Sequence, residues 1–173
     1  MLNPHYTLKA SRLITPLGPM IAIADETALY FFEFEDCEGL TRKIEKLRQE
    51  TNATILSGSS NPISSIKSEL SAYFKRTLTE FKTPLRFIGS SFQQRVWHEL
   101  QKIPSGETRS YADIAYALGK KNAYRAVGQA NGANNFFIIV PCHRVVNSSG
   151  YIGGYGAGVW RKEWLLDHEK NRD

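Results

Sequence analysis

Ser110-Tyr111-Ala112-Asp113-Ile114-Ala115, then Gly119-Lys120-Lys121-Asn122, then residues 123–131 read as two short helices joined by a tight, glycine-containing turn. The first helix opens at Ser110 and reaches Leu118; the second follows from Ala123. Arg109, Lys120, Lys121 and Arg125 surround the pair, and the small Ala126, Gly128 and Ala130 would let the second helix approach a polyanion closely. This is the pattern of a helix-turn-helix and equally that of a plain αα-hairpin. The stretch alone leaves both readings open.

Immediately downstream, residues 136–140 form an apolar run expected to be a strand, and it ends abruptly in Pro141-Cys142-His143-Arg144-Val145-Val146. A thiol attacks as its thiolate, and a cation such as Arg144 or protonated His143 can lower its pKa from a free value of about 8.5. The chain's other cysteine, Cys37, has Asp36 and Glu38 beside it, a setting that disfavours a further negative charge. If either cysteine is a nucleophile it is Cys142, although a cysteine at a strand end is also commonly a small hydrophobe.

Upstream, the break from Lys82-Thr83-Pro84 to Gly89-Ser90-Ser91 interrupts the periodicity and marks a domain boundary, giving domains 1–88 and 89–173. From Phe92 the apolar positions Val96, Leu100 and Ile103 predict a core helix with Ser91 as its N-cap. In the first domain, residues 20–24 and 28–34 read as a hairpin across Asp25-Glu26-Thr27. Tyr30, Phe32 and Phe34 alternate there with Glu33 and Glu35, which predicts a sheet with one wetted side. Leu40, Ile44 and Leu47, and then Ile63, Ile66, Leu70, Tyr73 and Phe74, recur at helical spacing. The Ser-, Thr- and Asn-rich residues 51–62 between them read as a loop.

Over 173 residues the formal net charge is +5, with eleven basic against ten acidic residues before Gly89 and eleven against seven after it. The excess in the second half is compatible with nucleic acid without proving it. No run of about eighteen apolar residues and no secretory leader pattern is present, so a cytoplasmic protein with no membrane partner is expected. Two cysteines are too few for a disulfide framework. With Cys37 and His5 the only thiol and imidazole before His98, the first domain cannot assemble a four-ligand zinc site, and neither metal nor cofactor is expected.

Pro141-Cys142-His143-Arg144-Val145, preceded by Arg125-Ala126-Val127-Gly128 and followed by Gly150, Tyr155 and Glu163-Trp164-Leu165-Leu166-Asp167-His168-Glu169, resembles the O6-alkylguanine-DNA alkyltransferases. The resemblance covers residues 92–169 closely, and Thr15-Pro16-Leu17-Gly18-Pro19 extends it weakly into the first half. It implies an α+β protein with an N-terminal ribonuclease-H-like sheet-and-helix domain and a C-terminal helical domain holding the helix-turn-helix. It also implies repair of duplex DNA by a monomer that moves an alkyl group from O6-alkylguanine onto Cys142, once and irreversibly, with O4-alkylthymine a further candidate substrate.

By the same resemblance His143 is a base acting through a water and Glu169 the carboxylate that orients it; on an extended segment Cys142 and His143 would point apart, which suits a bridging water. Tyr111 contacts guanine and crowds the target phosphate, Arg125 fills the stack vacated by a flipped base, and Asn134 is a hinge between the second helix and the active-site segment. Arg109, Lys120, Lys121, Ala126 and Gly128 complete the DNA-facing set, and Val145, Ser148, Tyr155 and Gly156 line the guanine pocket. Asn135 and Phe137 stand where the family often has proline, so Phe137 is expected to reshape the alkyl pocket. Three other readings share some of these features: a damage-binding protein without transfer, a helix-turn-helix transcription regulator, and a cysteine hydrolase. Residues 126, 128 and 130 offer little base readout for the regulator, and nothing beyond Cys and His suggests the hydrolase.

Overall fold

A computed structural model of the chain describes residues 6–170, so His5 lies outside the described residues. Two compact units divide at Ile88/Gly89. In the first, β1 (Tyr6–Thr15), β2 (Gly18–Ala24), β3 (Leu29–Phe34) and β4 (Ala53–Ser57) form one sheet in the order β3-β2-β1-β4. The β1–β2 and β2–β3 pairs are antiparallel and β1–β4 is parallel, joined by a crossover that carries α1 (Leu40–Thr51). Helix α2 (Asn61–Phe74) contacts β1 and β2 through a face that buries Ile63, Ile66, Leu70 and Tyr73.

The helical periodicities and the β2–β3 hairpin are present as expected, with two differences. Residues 51–62 are not one loop: Ala53–Ser57 is an edge strand whose Ala53 is buried while Thr54 and Ser57 face out, so the composition is that of a solvated edge. The second difference is that β3 is buried on both sides. Glu33 is 0% exposed and accepts an ion pair from Lys43 of α1. A register irregularity at Ile23/Ala24 also turns Tyr30 into the same cluster as Phe31, Leu8, Ile23 and Leu47. Alternation mistook a carboxylate under a helix for one in water.

The 82–89 break is partly anchored. Glu69 accepts from the Lys82 and Thr83 amides and the Thr83 hydroxyl, and residues 84–86 pair in parallel with Leu29.

The second unit comprises α3 (Ser91–Leu100), β5 (Arg109–Ser110), α4 (Tyr111–Ala117), α5 (Tyr124–Gly132), a 3-10 turn (Cys142–Arg144), β6 (Val145–Val146) and α6 (Val159–Lys170). Ser90, not Ser91, caps α3, in a reciprocal box with Gln93, a device worth about 1 kcal/mol. Ser110 and Asp113 form the same box on α4. The Gly119 turn that ends α4 needs φ +71°, which glycine adopts without strain. Trp97 of α3 donates its indole N–H to Ala130 of α5 at 2.8 Å, and a Cβ on Gly89 would sit 2.6 Å from the Trp97 ring, so that position must be glycine. The apolar run 136–140 is buried but is no strand. It folds into turns, with Ile138 at φ 72° and backbone bonds from Ile139 to Phe137 and from Val140 to Phe136. Both faces of the run are needed inside, and a compact turn buries them without an edge to pair.

Candidate active site

The residues that matter converge on the 3-10 turn. The extended geometry expected for Cys142 and His143 is replaced by this turn, closed by Arg144 N–H donating to Pro141 at 2.9 Å. Cys142 is 3% exposed, and burial pushes its thiol up to about 11, against the lowering influence of the Asn134 side chain, the Lys162 charge and Tyr155. The expected cationic help from Arg144 and His143 is therefore corrected on two counts. The net shift is upward because desolvation outweighs the neighbours, and the helpful cation is Lys162. Cys37 is higher still, at about 12, from burial and the Glu33 carboxylate.

His143 is fully buried, with Nε2 2.8 Å from Glu169 Oε1. Arg144 donates Nε and Nη2 to the two oxygens of the same carboxylate at 2.9 and 2.8 Å, and Nη1 to the Ile103 carbonyl at 2.6 Å. Burial would raise the Glu169 carboxyl, but His143 and Arg144 hold it well below the usual carboxylate range. Burial lowers the His143 pKa against the pull of Glu169. A neutral ring facing a carboxylate carries its proton on Nε2, leaving buried Nδ1, which has no hydrogen-bond partner among the described residues, as an acceptor.

Asn134, 2% exposed, pins the chain on both sides: its amide donates to Val140 and Phe136 carbonyls at 3.0 and 3.4 Å and accepts from the Phe136 N–H at 2.9 Å. Lys162 is a residue that sequence reasoning missed. It is 0% exposed, donates to the Val145 carbonyl at 2.7 Å and to Gly154 at 3.3 Å, and burial lowers its pKa while Cys142 opposes that shift. One signal pointed to it: it lies three residues before Leu165 on the buried face of α6, where an unpaired cation needs a reason.

Tyr111, half-buried at the N-terminus of α4, has its hydroxyl pKa raised by burial and by the Cys142 charge. Its ring lies against Gly128, where a Cβ would find ordinary contact at 3.8 Å. The tyrosine that packs on Phe137 is Tyr155, edge to face at 5.2 Å, and Gly156 abuts the same Phe137 ring. Val145 is buried and Ser148 exposed.

The remaining predicted residues form a separate surface. Arg125 and Ala126 are exposed on the first turn of α5. Lys120, Lys121 and Arg125 lean over Phe92, Tyr116 and Tyr124 at 5.7, 5.5 and 5.9 Å. The Arg109 guanidinium pairs with Glu107 at 2.8 Å and with the Thr108 carbonyl. Among the described residues no group of three or more potential ligands could hold a metal ion, and no helix is long and apolar enough to cross a membrane.

Sequence profiles of two domains match almost the whole chain: the ribonuclease-like domain of 6-O-methylguanine DNA methyltransferase over residues 8–87 and the DNA binding domain of the same family over residues 91–171. A methylated-DNA–protein-cysteine methyltransferase of Mycobacterium tuberculosis is 56% identical over 104 residues, which is 60% of this chain and 63% of that protein. That match spans a little under two thirds of the mycobacterial relative's length. The protein of the same description from Salmonella typhimurium is 37% identical over 164 residues, 94% of this chain and 95% of its own. The crystal structure of Mycobacterium tuberculosis OGT in complex with DNA superimposes with a TM-score of 0.80 at 40% identity, over 96% of this chain and 94% of that one. Fold and site together define a class in which a ribonuclease-like sheet domain accompanies a DNA-binding domain with a buried cysteine. Within that class, the chain belongs to the 6-O-methylguanine DNA methyltransferase family.

Proposed function

We propose that the protein repairs duplex DNA by transferring the alkyl group of O6-alkylguanine to Cys142, stoichiometrically and irreversibly. The observation that carries this reading is a buried thiol held among Asn134, Lys162 and Tyr155 and followed by a His143–Glu169 pair. Such a thiol is inert to bulk solvent and becomes nucleophilic where a base and a cation are already in place. Sulfur attacks the carbon on guanine O6 in line; the S–H proton passes through a water to His143 Nδ1, the carbon–oxygen bond breaks, and its electron pair leaves on guanine. Tyr111 donates a proton to the leaving base, and the proton held by His143 passes through water to the resulting Tyr111 phenolate, so that both side chains end as they began. The thioether is a poor leaving group, so nothing regenerates the thiol.

A guanine inside a duplex cannot reach a sulfur that is 3% exposed, so the target base is flipped out. We read α4 and α5 as a helix-turn-helix laid on the DNA, with Arg125 entering the vacated stack and Lys120 and Lys121 on phosphates. The protein acts as a monomer and as a cytoplasmic enzyme. Incubation with duplex carrying labelled O6-methylguanine tests the reading. One equivalent of label on the Cys142 peptide is expected, and either product beyond the protein concentration or binding without any label on protein overturns it.

A further inference from the structure

The first unit holds a cavity of about 660 Å³ between the end of β1 and the C-terminal half of α2, remote in sequence from every residue of the alkyl-acceptor site. Its walls combine two chemistries. Leu13, Leu70 and Phe74 supply an apolar floor, while Arg12, Lys67 and Lys75 stand around it, and among the described residues no acidic side chain lines it. Lys67 on α2 and Lys75 at its C-cap are exposed and eight residues apart, about 12 Å along the helix axis at 1.5 Å per residue. Arg12 lines the cavity but is paired with Glu35 at 2.8 Å, which leaves the two lysines as the cations available to an incoming group. A second cavity of about 590 Å³ adjoins the first through Lys67, Ser71 and Lys75, so this cationic ridge is flanked by concave surface on both sides.

Two features of the wall bear on what it could hold. The β1–β2 wall is rigid: the Thr15 hydroxyl donates to the Gly18 carbonyl at 2.7 Å and accepts from the Leu17 N–H at 3.2 Å, with Pro16 between them. Ile14, in the same wall, is 73% exposed, the outward position that strand alternation gives it between buried Leu13 and Thr15. An apolar side chain offered to solvent beside lysines has the arrangement that a small-molecule pocket uses, in which an apolar body is buried and a few polar groups fix one end; the volume lies in the usual range of about 300–1,000 Å³.

From this geometry we propose that the cavity binds an amphipathic organic anion, an apolar or aromatic body carrying a carboxylate, sulfonate or phosphate, with its head between Lys67 and Lys75. The full-length protein is titrated with 1-anilinonaphthalene-8-sulfonate, following fluorescence and the melting temperature, alongside an uncharged naphthylamine. One saturable site is expected, with a rise in melting temperature that follows ligand concentration and no equivalent effect of the uncharged probe. The double variant Lys67→Gln/Lys75→Gln and the single variant Ile14→Glu should each weaken binding about tenfold or more. All of these positions are exposed, so folding and label transfer to Cys142 should be unchanged. Fluorescence without a stabilising shift, or binding indifferent to both variants, overturns the proposal. So does displacement of the probe by duplex DNA with a matching loss of DNA affinity in the lysine variant, which would make the ridge part of the nucleic-acid surface.

Discussion

Replacing Glu169 by glutamine removes one negative charge from a place where two groups depend on it. The carboxylate is 2% exposed and takes the Nε2 side of His143 at 2.8 Å together with two Arg144 donors at 2.8 and 2.9 Å. Arg144 itself is 6% exposed and cannot turn to water without breaking its bond to Ile103. Removing one partner of a buried pair costs about 3–5 kcal/mol; glutamine keeps a carbonyl acceptor, so Glu169→Gln should lose about 3 kcal/mol, measured by urea unfolding at pH 7. The pH dependence follows from the depressed Glu169 pKa. A carboxylate held low in the folded state contributes stability fully above its unfolded pKa, about 4.3, and loses it as pH falls through the folded value. The gap between wild type and variant should therefore be constant from pH 5 to 7 and close only in acid. Transfer to Cys142 should slow by about 100-fold or more, because His143 loses the group that fixes its tautomer and orientation. A variant within 0.5 kcal/mol of wild type at pH 7, or a gap that widens toward acid, would refute the assignment of Glu169 as the buried anion that organises this turn.

Cys142→Ala should abolish alkyl transfer and leave duplex affinity nearly intact in a gel-shift titration, whereas Cys37→Ala should preserve both; loss of transfer in a folded Cys37→Ala protein would mean the wrong thiol was chosen. Lys162→Gln removes the cation that opposes the upward shift of Cys142, so the rate of transfer measured from pH 6.5 to 9.5 should fall and its rising limb should move to higher pH, and an unmoved limb would deny Lys162 that part. Arg125→Ala should slow repair in duplex far more than reaction with free O6-benzylguanine, which needs no flipping; equal losses would assign Arg125 to the pocket or the fold. Affinity for undamaged duplex should fall with ionic strength by a modest slope, since Arg109, Lys120 and Lys121 are few charges to set on phosphates, and a salt-independent affinity would contradict the surface.

Helical periodicity made α1, α2 and α3 legible because each buries one stripe, as in Ile63, Ile66 and Leu70. Strands β1 and β4 went unread for the opposite reason. Lys9, Ser11 and Arg12 in β1, and Thr54 and Ser57 in β4, are polar positions on strands held by their pairing, with too few apolar residues to show a period of two. The apolar run 136–140 misled in the other direction, since continuous hydrophobicity signals burial without fixing the backbone, and Ile138 at φ 72° could not be foreseen from its side chain. In the site, the pair His143–Glu169 was legible only through family resemblance, being 26 residues apart in sequence. Lys162 carried only its spacing to Leu165 as a signal, which by itself does not distinguish a solvated cation from one folded inward onto two carbonyls.

The two-residue ladder between β5 and β6 pairs Arg109 with Val145 and Ser110 with Val146. Ser110 is also the cap of α4, and Tyr111 is its first residue, while Val145 directly follows the Cys142–Arg144 turn. The helix end and the sulfur-bearing turn are therefore yoked through a few backbone bonds rather than through the thirty-odd residues of chain between them. In hydrogen-exchange terms, the amides of this ladder should not open by fraying, as short surface strands do, but only together with α4 and the turn as one cooperative block. Whatever the N-terminus of α4 grips is then measured out from Cys142 at a constant span, like the fixed jaw of a caliper.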